Sequence, residues 1–285
     1  MIKTDLHNHL KTSRRWSEGD FNKAIEKASR RLGPGAIIGL VNFSDADSKD
    51  DRYECFIGLP GYERTPIGEN QQGIYVPEKD IYVLKAQEVP TKQGHLLVAG
   101  LRRNVQLKVD RTLEDSIAEA TDQGGIIIAD HPFHLQGIGN YLTRHLELLG
   151  ELDAIEIHNG EASFGFPVGP FPWNANGKAR KFYEEIAKDF PDIGALSTSD
   201  GHSMYELGRS WTEVDVPYSS DNTNFVDNLR DAIRRTNLST PRHEASPQGV
   251  MGAIDHIVDL VTIVKIAPIF GLKKHYWDNR KPEKI

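Results

Sequence analysis

The chain begins with Met1-Ile-Lys-Thr-Asp5-Leu-His7-Asn-His9, which places one acid and two histidines on a short segment. Side chains alternate between two faces along an extended segment, so this spacing predicts that Asp5, His7 and His9 share one face. Carboxylates and imidazoles together are typical ligands of divalent metals, whereas core packing does not favour three of them on one face. For this motif alone, a polar strand end with surface histidines stays an open alternative.

The composition limits the class of protein. The 285 residues, 38% of them hydrophobic, suffice for one large α/β domain or two small ones. A formal net charge of -7 disfavours a general nucleic-acid binder, with a local basic groove left as an alternative. The single cysteine, Cys55, excludes an internal disulfide, so a metal site would use imidazole and carboxylate groups. No secretory signal is recognisable, and the most apolar stretch, 254–272, is too polar to span a membrane, so we expect a cytoplasmic protein.

Short apolar segments alternate with segments of helical periodicity. Phe21, Ile25 and Leu32 recur at helical spacing, and Thr112 with Asp115 resembles a capping box at the start of a later helix. This alternation predicts βα units and a mainly parallel sheet. The predicted helices are 20–32, 112–123, 178–190 and 224–235, and the predicted strands are 36–41, 81–86, 126–129, 154–157 and 194–197.

Two segments are long and rich in polar residues, glycine or proline, namely 48–79 and 161–177. Loops of this length in a compact domain are usually functional. We therefore predict a single domain over 1–272, in which these two loops shape substrate choice. The charged residues 273–285 are predicted to form a C-terminal tail.

Further acids and histidines lie where the predicted strands begin or end. In a parallel α/β barrel the carboxyl ends of the strands converge on one face, so these side chains are expected to meet there. Each of them alone has a structural alternative, as a core histidine, a turn residue, a solvated acid or a helix cap. Their joint occurrence favours a metal site, with Zn, Mn or Fe(II) better suited than Ca. The residues are Glu88, His95, Asp130, His131, Glu156, His158, Asn159, Asp200 and His202.

The motifs occur in a fixed order along residues 1–212. They are Asp5-Leu-His7-Asn-His9, Glu88 with Gly94-His95-Leu-Leu-Val-Ala-Gly100, Asp130-His131-Pro132, Glu156-Ile-His-Asn159, Ser199-Asp200-Gly201-His202, Leu207-Gly208-Arg209 and Thr212. This ordered set resembles the PHP family, the polymerase and histidinol phosphatase superfamily. The resemblance implies a distorted (β/α)7 TIM-like barrel with a site of two or three divalent metals that hydrolyses phosphoesters.

The resemblance also implies a role for each matching position. His7, His9, Glu88 and Asp200 would hold one metal. Glu88 would bridge to a second metal, held by His95 and His131, and His202 would serve a third position. Asp130 and Asn159 are expected to act as outer partners that fix the orientation of the ligands.

The sequence departs from the family at one position. The family usually has Thr-Asp-His after its second strand, where this chain reads Val41-Asn42-Phe43-Ser44-Asp45-Ala46-Asp47. Whether Asn42 or Asp45 occupies the acidic position, the imidazole is missing. We therefore expect two tightly bound metals and a third that is weak or absent.

Three functions stay open at this point. The first is hydrolysis of a small phosphomonoester, such as a nucleotide or phosphorylated metabolite, by water that two metals activate. In this hypothesis His202 or Asp200 protonates the leaving oxygen, and Arg209 binds the phosphate. The second is exonuclease or oligonucleotide phosphodiesterase activity with the same metals, which the net charge disfavours. The third is a metal-binding protein without catalytic activity that acts in regulation or interaction, which the missing imidazole favours.

Overall fold

A computed structural model describes residues 1–10, 16–43, 51–134, 136–163, 174–217 and 222–245. The strands are β1 (Ile2–Asp5), β2 (Ala36–Phe43), β3 (Thr65–Ile67), β4 (Gly73–Val76), β5 (Ile81–Pro90), β6 (His95–Ala99), β7 (Ile126–Ala129), β8 (Ala154–Asn159), β9 (Gly194–Thr198), β10 (Trp211–Val214) and β11 (Arg242–His243). The α-helices are α1 (Asp20–Leu32), α2 (Arg52–Ile57), α3 (Leu113–Asp122), α4 (Gly139–Leu142), α5 (Ala175–Ile186) and α6 (Phe225–Arg234). Short 3-10 helices cover Leu146–Glu151, Glu161–Ser163 and Asn222–Asn224.

The strands form one sheet of 11 strands, in which the main path runs β11-β10-β1-β2-β5-β6-β7-β8-β9. The pairs β1–β2, β2–β5, β7–β8 and β8–β9 are parallel. The strand β6 is antiparallel to both β5 and β7, and β10 is antiparallel to β1. The prediction of a mainly parallel sheet is therefore wrong in detail, although the predicted α/β barrel class is confirmed.

The sheet curls so that its two ends meet beside the first motif. Thr212 Oγ1 on β10 accepts a hydrogen bond from the backbone N of Ser197 on β9, at 2.7 Å. Beyond the strand ends, the backbone N of His9 donates to the carbonyl of Gly201 at 2.8 Å. A Cβ at Gly39 would lie 2.0 Å from the carbonyl oxygen of Leu6, so only glycine lets β2 approach the chain this closely. The barrel is thus nearly closed.

Apolar side chains separate into one inner and two outer clusters because strand residues alternate between two faces. The inner cluster contains Leu84 and Ala86 of β5 together with Leu229 and Ile233 of α6. One outer cluster joins α1 and α2 to β2 and β5, and the other joins α3 and α5 to β6, β7 and β8. Helices therefore cover the outside of the barrel, and α6 contributes to its interior.

The segment that was predicted as a loop over 48–79 contains regular structure within 51–79, namely α2, β3 and β4. The strand β4 pairs with β5 and so extends the sheet. Of the second predicted loop, 164–173 lies outside the described residues, as does the predicted tail over 273–285. No helix within the described part of the chain is long and apolar enough to cross a membrane.

Candidate metal centre

The inner face of the barrel changes from apolar to polar at one rim. Glu88 continues the inward row of Leu84 and Ala86 along β5, since residues two apart share a face. Glu156 stands in the same relation to Ala154 on β8. On the antiparallel strand β6, His95 is the first residue, so it reaches the rim where β5 ends. The rim therefore collects charged side chains that are almost fully buried.

The first group of candidate ligands contains Glu88, His95, Asp130 and His131, whose ligand atoms lie within 4.8 Å of one another. Glu88 Oε1 contacts Nδ1 of His95 at close range and lies 3.1 Å from Nε2 of His131. His131 Nε2 also lies 3.3 Å from Oδ2 of Asp130. The structure thus brings together the predicted ligands of one metal and adds Asp130, which was predicted as an outer partner.

The second group contains His7, His9 and Glu88. The Nε2 atoms of the two histidines are 3.3 Å apart, and Nε2 of His9 lies 3.4 Å from Oε2 of Glu88. Glu88 therefore presents one oxygen to each of the first two groups, which is the arrangement of a bridging carboxylate.

The third group contains His9, Asp200 and His202. The Oδ1 atom of Asp200 lies 3.3 Å from Nε2 of His7, and 3.4 Å from Nε2 of both His9 and His202. The rings of His9 and His202 stack, with centroids 4.5 Å apart and planes inclined by 15°. One carboxylate oxygen is thus shared by three imidazoles.

Several of these spacings, though not those of Glu88 with His95 and His131, match the spacings of ligands around a small cation. Tetrahedral coordination with bonds of about 2.0–2.1 Å separates nitrogen and oxygen ligands by about 3.3–3.4 Å. The contacts of Glu88 with His9, and of Asp200 with His7, fall at 3.4 and 3.3 Å. They are longer than the usual charge-assisted hydrogen bond of about 2.7–2.9 Å, so the geometry suits a cation better than a proton.

Several buried carboxylate oxygens accept no hydrogen bond from the described residues: Oε2 of Glu88, Oδ1 of Asp200 and both oxygens of Asp130. Oε2 of Glu88 and Oδ1 of Asp200 instead face imidazole nitrogens at 3.3–3.4 Å, and buried charges in native proteins are paired or bind metals. The donor set of imidazole and carboxylate fits Zn, Mn or Fe(II). The residues present therefore fit divalent cations.

Neighbouring histidines keep two of the buried acids in their charged form. Burial alone would raise the pKa of Glu88, but the charge of His95 and the hydrogen bonds of His131 and His95 hold it well below its usual range. Burial likewise opposes ionisation of Asp200, yet the charge of His7 and the contacts of His202 and His9 keep its pKa well below the usual range. Both acids are therefore charged at neutral pH.

The histidines respond to the same carboxylates. Burial lowers the pKa of His7, but Asp200 and Glu156 outweigh it and raise that pKa to about 10. Burial and the positive charge of His202 lower the pKa of His9 to about 3. The pKa of His202 lies well above its usual value because Glu161 and Asp200 outweigh its burial. In the absence of cations, protons thus supply part of the positive charge.

A second set of side chains orients the candidate ligands. Glu156 Oε1 accepts from Nδ1 of His7 at 3.0 Å and from Oγ1 of Thr198 at 2.7 Å. The amide Nδ2 of Asn159 donates to Oε2 of Glu156 at 2.8 Å and to Oδ2 of Asp200 at 3.0 Å. A carboxylate behind an imidazole fixes the tautomer of the ring, so His7 is held with Nε2 directed toward the centre. The outer role predicted for Asn159 agrees with these contacts.

Two candidate ligands have unusual backbone angles. His131 has φ of 27° and Asp200 has φ of 48°, both in the left-handed region that few residues other than glycine adopt. Each is the second residue after the end of a strand, β7 for His131 and β9 for Asp200. The chain therefore turns at the ligand itself. Such strain at functional positions is sustained by the surrounding structure. Here Glu156 Oε2 accepts the backbone N–H of His131 at 2.8 Å.

The structure corrects the prediction that Asp5 shares a face with His7 and His9. The strand β1 ends at Asp5, so strand alternation does not extend to the histidines. The carboxylate of Asp5 accepts the backbone N–H groups of Ser199 and Gly208, each at 2.9 Å. Asp5 therefore anchors the segment that carries Asp200 and is not among the three ligand groups.

Asn42, one of the two candidates for the unusual position, is a structural residue near the end of β2. Asn42 Oδ1 accepts the backbone N–H of Arg52 at 2.8 Å, and its Nδ2 donates to Asp51 at 3.0 Å. Asp51 in turn pairs with Lys85 at 3.2 Å. Asn42 thus holds the start of α2, whereas Asp45 lies outside the described residues.

Some functional assignments stay predictions, and some contacts were not predicted. The backbone N–H of Arg209 donates to Oγ of Ser199 at 2.9 Å, and Arg209 is in none of the three groups, so its role in phosphate binding stays a prediction. The contact of Glu161 with His202, at 3.1 Å, and the role of Glu156 behind His7 were not predicted. The ring of His134, which was given no role, lies 6.0 Å from that of His131.

Similar solved structures include PsfC from Pseudomonas syringae, at 16% identity and a TM-score of 0.60, with 91% of this chain and 96% of PsfC covered. Endonuclease Q in complex with a 27-mer duplex that carries an abasic lesion matches at 15% identity and a TM-score of 0.52, over 85% of this chain and 58% of that one. No protein-family model and no curated protein matches the chain.

A two-domain protein from Bacteroides vulgatus, described as containing a predicted PHP-like metal-dependent phosphoesterase, matches at 14% identity and a TM-score of 0.51. The match covers 86% of this chain and 65% of that one, so this chain spans less than two thirds of the two-domain protein. Identities this low establish the fold alone. In its fold, the chain is a PHP-type barrel, as the resemblance of its motifs implied.

Proposed function

We propose that this chain is a metal-dependent phosphoesterase that hydrolyses a small phosphomonoester. One observation supports this more than any other: two buried acids, Glu88 and Asp200, are each shared between groups of imidazoles at one rim of the barrel. Sharing of this kind is expected where carboxylates hold neighbouring cations, and paired cations are the usual means of phosphoester hydrolysis. The likeness in fold to a PHP-like protein agrees with the proposal.

In this proposal Glu88, His95, Asp130 and His131 hold one divalent cation, and His7, His9 and Asp200 hold a second together with Glu88. When bound, such cations supply Lewis-acid activation of water and neutralise the charge of the phosphoryl group. The chain's own contribution is to keep the carboxylates of Glu88 and Asp200 charged and to hold the ligands oriented and buried. The side chains of His95 and His202 are 11% and 13% exposed, whereas Glu88 and Asp200 are 3% and 2% exposed. The side of the centre next to the two histidines is therefore the one through which substrate would enter.

His202 is better suited to binding a cation than to protonating the leaving oxygen. Its Nε2 faces two carboxylates, Oδ1 of Asp200 at 3.4 Å and Oε2 of Glu161 at 3.1 Å. An imidazole nitrogen between two negative oxygens holds a positive species rather than releasing its proton to a substrate. The proposal therefore assigns His202 a ligand role and keeps Arg209 as the predicted phosphate contact.

The choice of a small substrate rests on charge. A net charge of -7 opposes general binding of polyanions, whereas a single phosphate group is bound by the local positive charge of the centre. The likeness to Endonuclease Q favours a phosphodiester only through its fold. The cytoplasmic location and the identity of the metal, Zn, Mn or Fe, remain part of the proposal.

The test compares three substrates with protein loaded with Mn²⁺ or Zn²⁺: an aryl phosphomonoester, an aryl phosphodiester and a single-stranded oligonucleotide. We expect turnover of the monoester, its loss in Glu88→Gln, and no loss in Glu147→Gln, a matched change at an acid that is 70% exposed. Turnover of only the diester or oligonucleotide would favour a nuclease. No turnover of any substrate, with cations bound, would favour the silent metal-binding protein.

A further inference from the structure

We infer that the outer wall of the barrel carries a binding site for a polyphosphate anion, formed by Lys27, Arg30 and Arg31 of α1. These three residues are called the basic patch below. Residues three and four apart on a helix are neighbours, so the three side chains share one face of α1. None of them belongs to the three groups of candidate metal ligands. The inference therefore does not depend on the proposed phosphoesterase activity.

The basic patch and the candidate metal ligands lie on different faces of the barrel wall. The helix α1 packs in an outer apolar cluster that includes Leu32 and Leu207. Glu88, in contrast, continues the inner row of β5. On the outer side, Nη1 of Arg31 donates to the carbonyl oxygens of Tyr205 at 2.8 Å and of Leu207 at 2.6 Å. The basic patch therefore lies where α1 meets the segment 205–207.

The guanidinium of Arg31 is already oriented for binding an anion. Its two carbonyl contacts use Nη1 alone, although a guanidinium carries five N–H groups. Nε and Nη2 donate to no side chain or carbonyl within the part of the chain that the structure describes. This edge of a guanidinium matches two oxygens of a phosphate group. Because the carbonyls already hold the side chain, binding an anion would cost little conformational entropy.

The basic patch gathers positive charge that no described acid pairs with. Burial, and then the positive charges of Arg31 and Arg30, lower the pKa of Lys27. Burial and the charges of Arg209 and Arg30 lower the pKa of Arg31, and the charge of Asp5 acts in the opposite direction. Neighbouring like charges destabilise the fold by a small amount, which a bound polyvalent anion would offset.

The side chains around the basic patch indicate the class of ligand. Three cations on adjacent helical turns match a chain of linked phosphates better than a single phosphate. The ring of Tyr205 is 47% exposed, and Nζ of Lys27 lies 4.5 Å from its centroid. An exposed aromatic ring beside phosphate-binding cations also suits the base of a nucleotide. The net charge of -7 does not oppose such a ligand, because charges farther away than about 8 Å are largely screened at physiological ionic strength.

The experiment is a calorimetric titration of the full chain with inorganic tripolyphosphate, after a chelator has removed bound cations. Wild-type protein should bind one equivalent, with an affinity that falls as salt is raised. Lys27→Gln/Arg30→Gln should weaken binding by about tenfold or more, as expected for the loss of charge-assisted contacts. Arg144→Gln/Lys181→Gln, which removes the same charges at exposed positions elsewhere, should retain the wild-type affinity.

Two further variants test the geometry and identify the source of the phosphates. Arg31→Lys keeps the charge but loses the planar edge, so it should also weaken binding by about tenfold. Adenosine triphosphate is titrated in parallel with tripolyphosphate. A tighter fit of the nucleotide that Tyr205→Leu removes would identify a nucleoside polyphosphate as the ligand. Equal affinities that Tyr205→Leu leaves unchanged would identify an inorganic polyphosphate.

Two results would overturn the inference. One is the absence of saturable binding by the wild type at millimolar tripolyphosphate and low salt. The other is an affinity of Lys27→Gln/Arg30→Gln equal to that of the control, with circular dichroism showing that both are folded. Neither result bears on the phosphoesterase, which is measured with metal-loaded protein and aryl phosphates.

Discussion

Oε2 of Glu88 lies 3.4 Å from Nε2 of His9, and it accepts no hydrogen bond from the described residues. The other oxygen, Oε1, is occupied by His95 and His131 on the opposite side. Glu88 is thus the side chain through which two ligand groups are joined. A change at this residue is expected to affect both groups at once.

Glu88→Gln should therefore lower the affinity for both inner cations. An amide keeps the shape of the side chain but has one neutral oxygen in place of two charged ones. We expect a loss in cation affinity of more than about 100-fold, beyond the 10–100-fold effect usual for outer partners. Elemental analysis after gel filtration measures the bound metal. Retention of two cations by a folded Glu88→Gln protein would show that this carboxylate is not shared between them.

Glu156→Gln should weaken metal binding more moderately, because Glu156 acts through His7. Its Oε1 accepts from Nδ1 of His7 at 3.0 Å, which directs the opposite nitrogen to the centre. The expected loss is about 10–100-fold in cation affinity, with the number of sites unchanged at saturation. Calorimetric titration with Mn²⁺ measures both quantities. A loss of one whole site at saturation would make Glu156 a direct ligand, contrary to this account.

Asp130→Asn should stabilise the metal-free protein while weakening its cation binding. Burial raises the pKa of Asp130 from 3.8 to about 7. Between these two values the folded state keeps a proton that the unfolded state has released, so the free energy of unfolding falls as pH rises through this window. The metal-free Asp130→Asn variant should therefore be more stable than the metal-free wild type at pH 8, by on the order of 1 kcal/mol. At pH 4 the two should differ little.

Urea unfolding of metal-stripped protein at pH 4, 6 and 8 tests the effect of Asp130→Asn. The exposed Asp122→Asn serves as the control and should leave the pH dependence unchanged. A variant at Asp130 that is less stable than the wild type at pH 8 would show that this carboxylate is not under electrostatic stress.

Cation binding should release protons at pH 7.5. The pKa of His7 is raised to about 10, chiefly by Asp200 and Glu156 against the effect of burial, and that of His131 is raised well above its usual value by Asp130 and Glu88. Both rings must lose a proton before they bind a cation. We expect more than one proton released per chain, measured by calorimetry in buffers with different ionisation enthalpies. Binding with no proton release would show that these rings are neutral before the metal arrives.

Much of the fold was predictable because it depends on residues close in sequence. The helix predicted over 20–32 begins and ends as expected, and Oγ1 of Thr112 caps α3 by accepting the N–H of Asp115 at 3.1 Å. The direction of β6 was missed, although a signal was present. Only residues 91–94 separate β5 from β6, and so short a connection fits a hairpin and not a parallel crossover.

The candidate ligands could be found in the sequence because they follow apolar strand segments one after another. The mutual arrangement of these ligands could not be predicted, because it depends on the path that the chain takes after each strand. Asp5 binds two backbone N–H groups across the barrel closure, and Asn42 is used to hold the start of α2. Glu161 lies in a polar segment without periodicity, and only the turn beside β8 places it next to His202.

The most direct test of the account is a crystal of the chain grown with Mn²⁺ and measured for anomalous scattering. We predict two strong peaks on opposite sides of the Glu88 carboxylate, about 3.5–4 Å apart, one beside His131 and one beside His9. Crystals with saturating Mn²⁺ and no peak within bonding distance of Glu88 would contradict it.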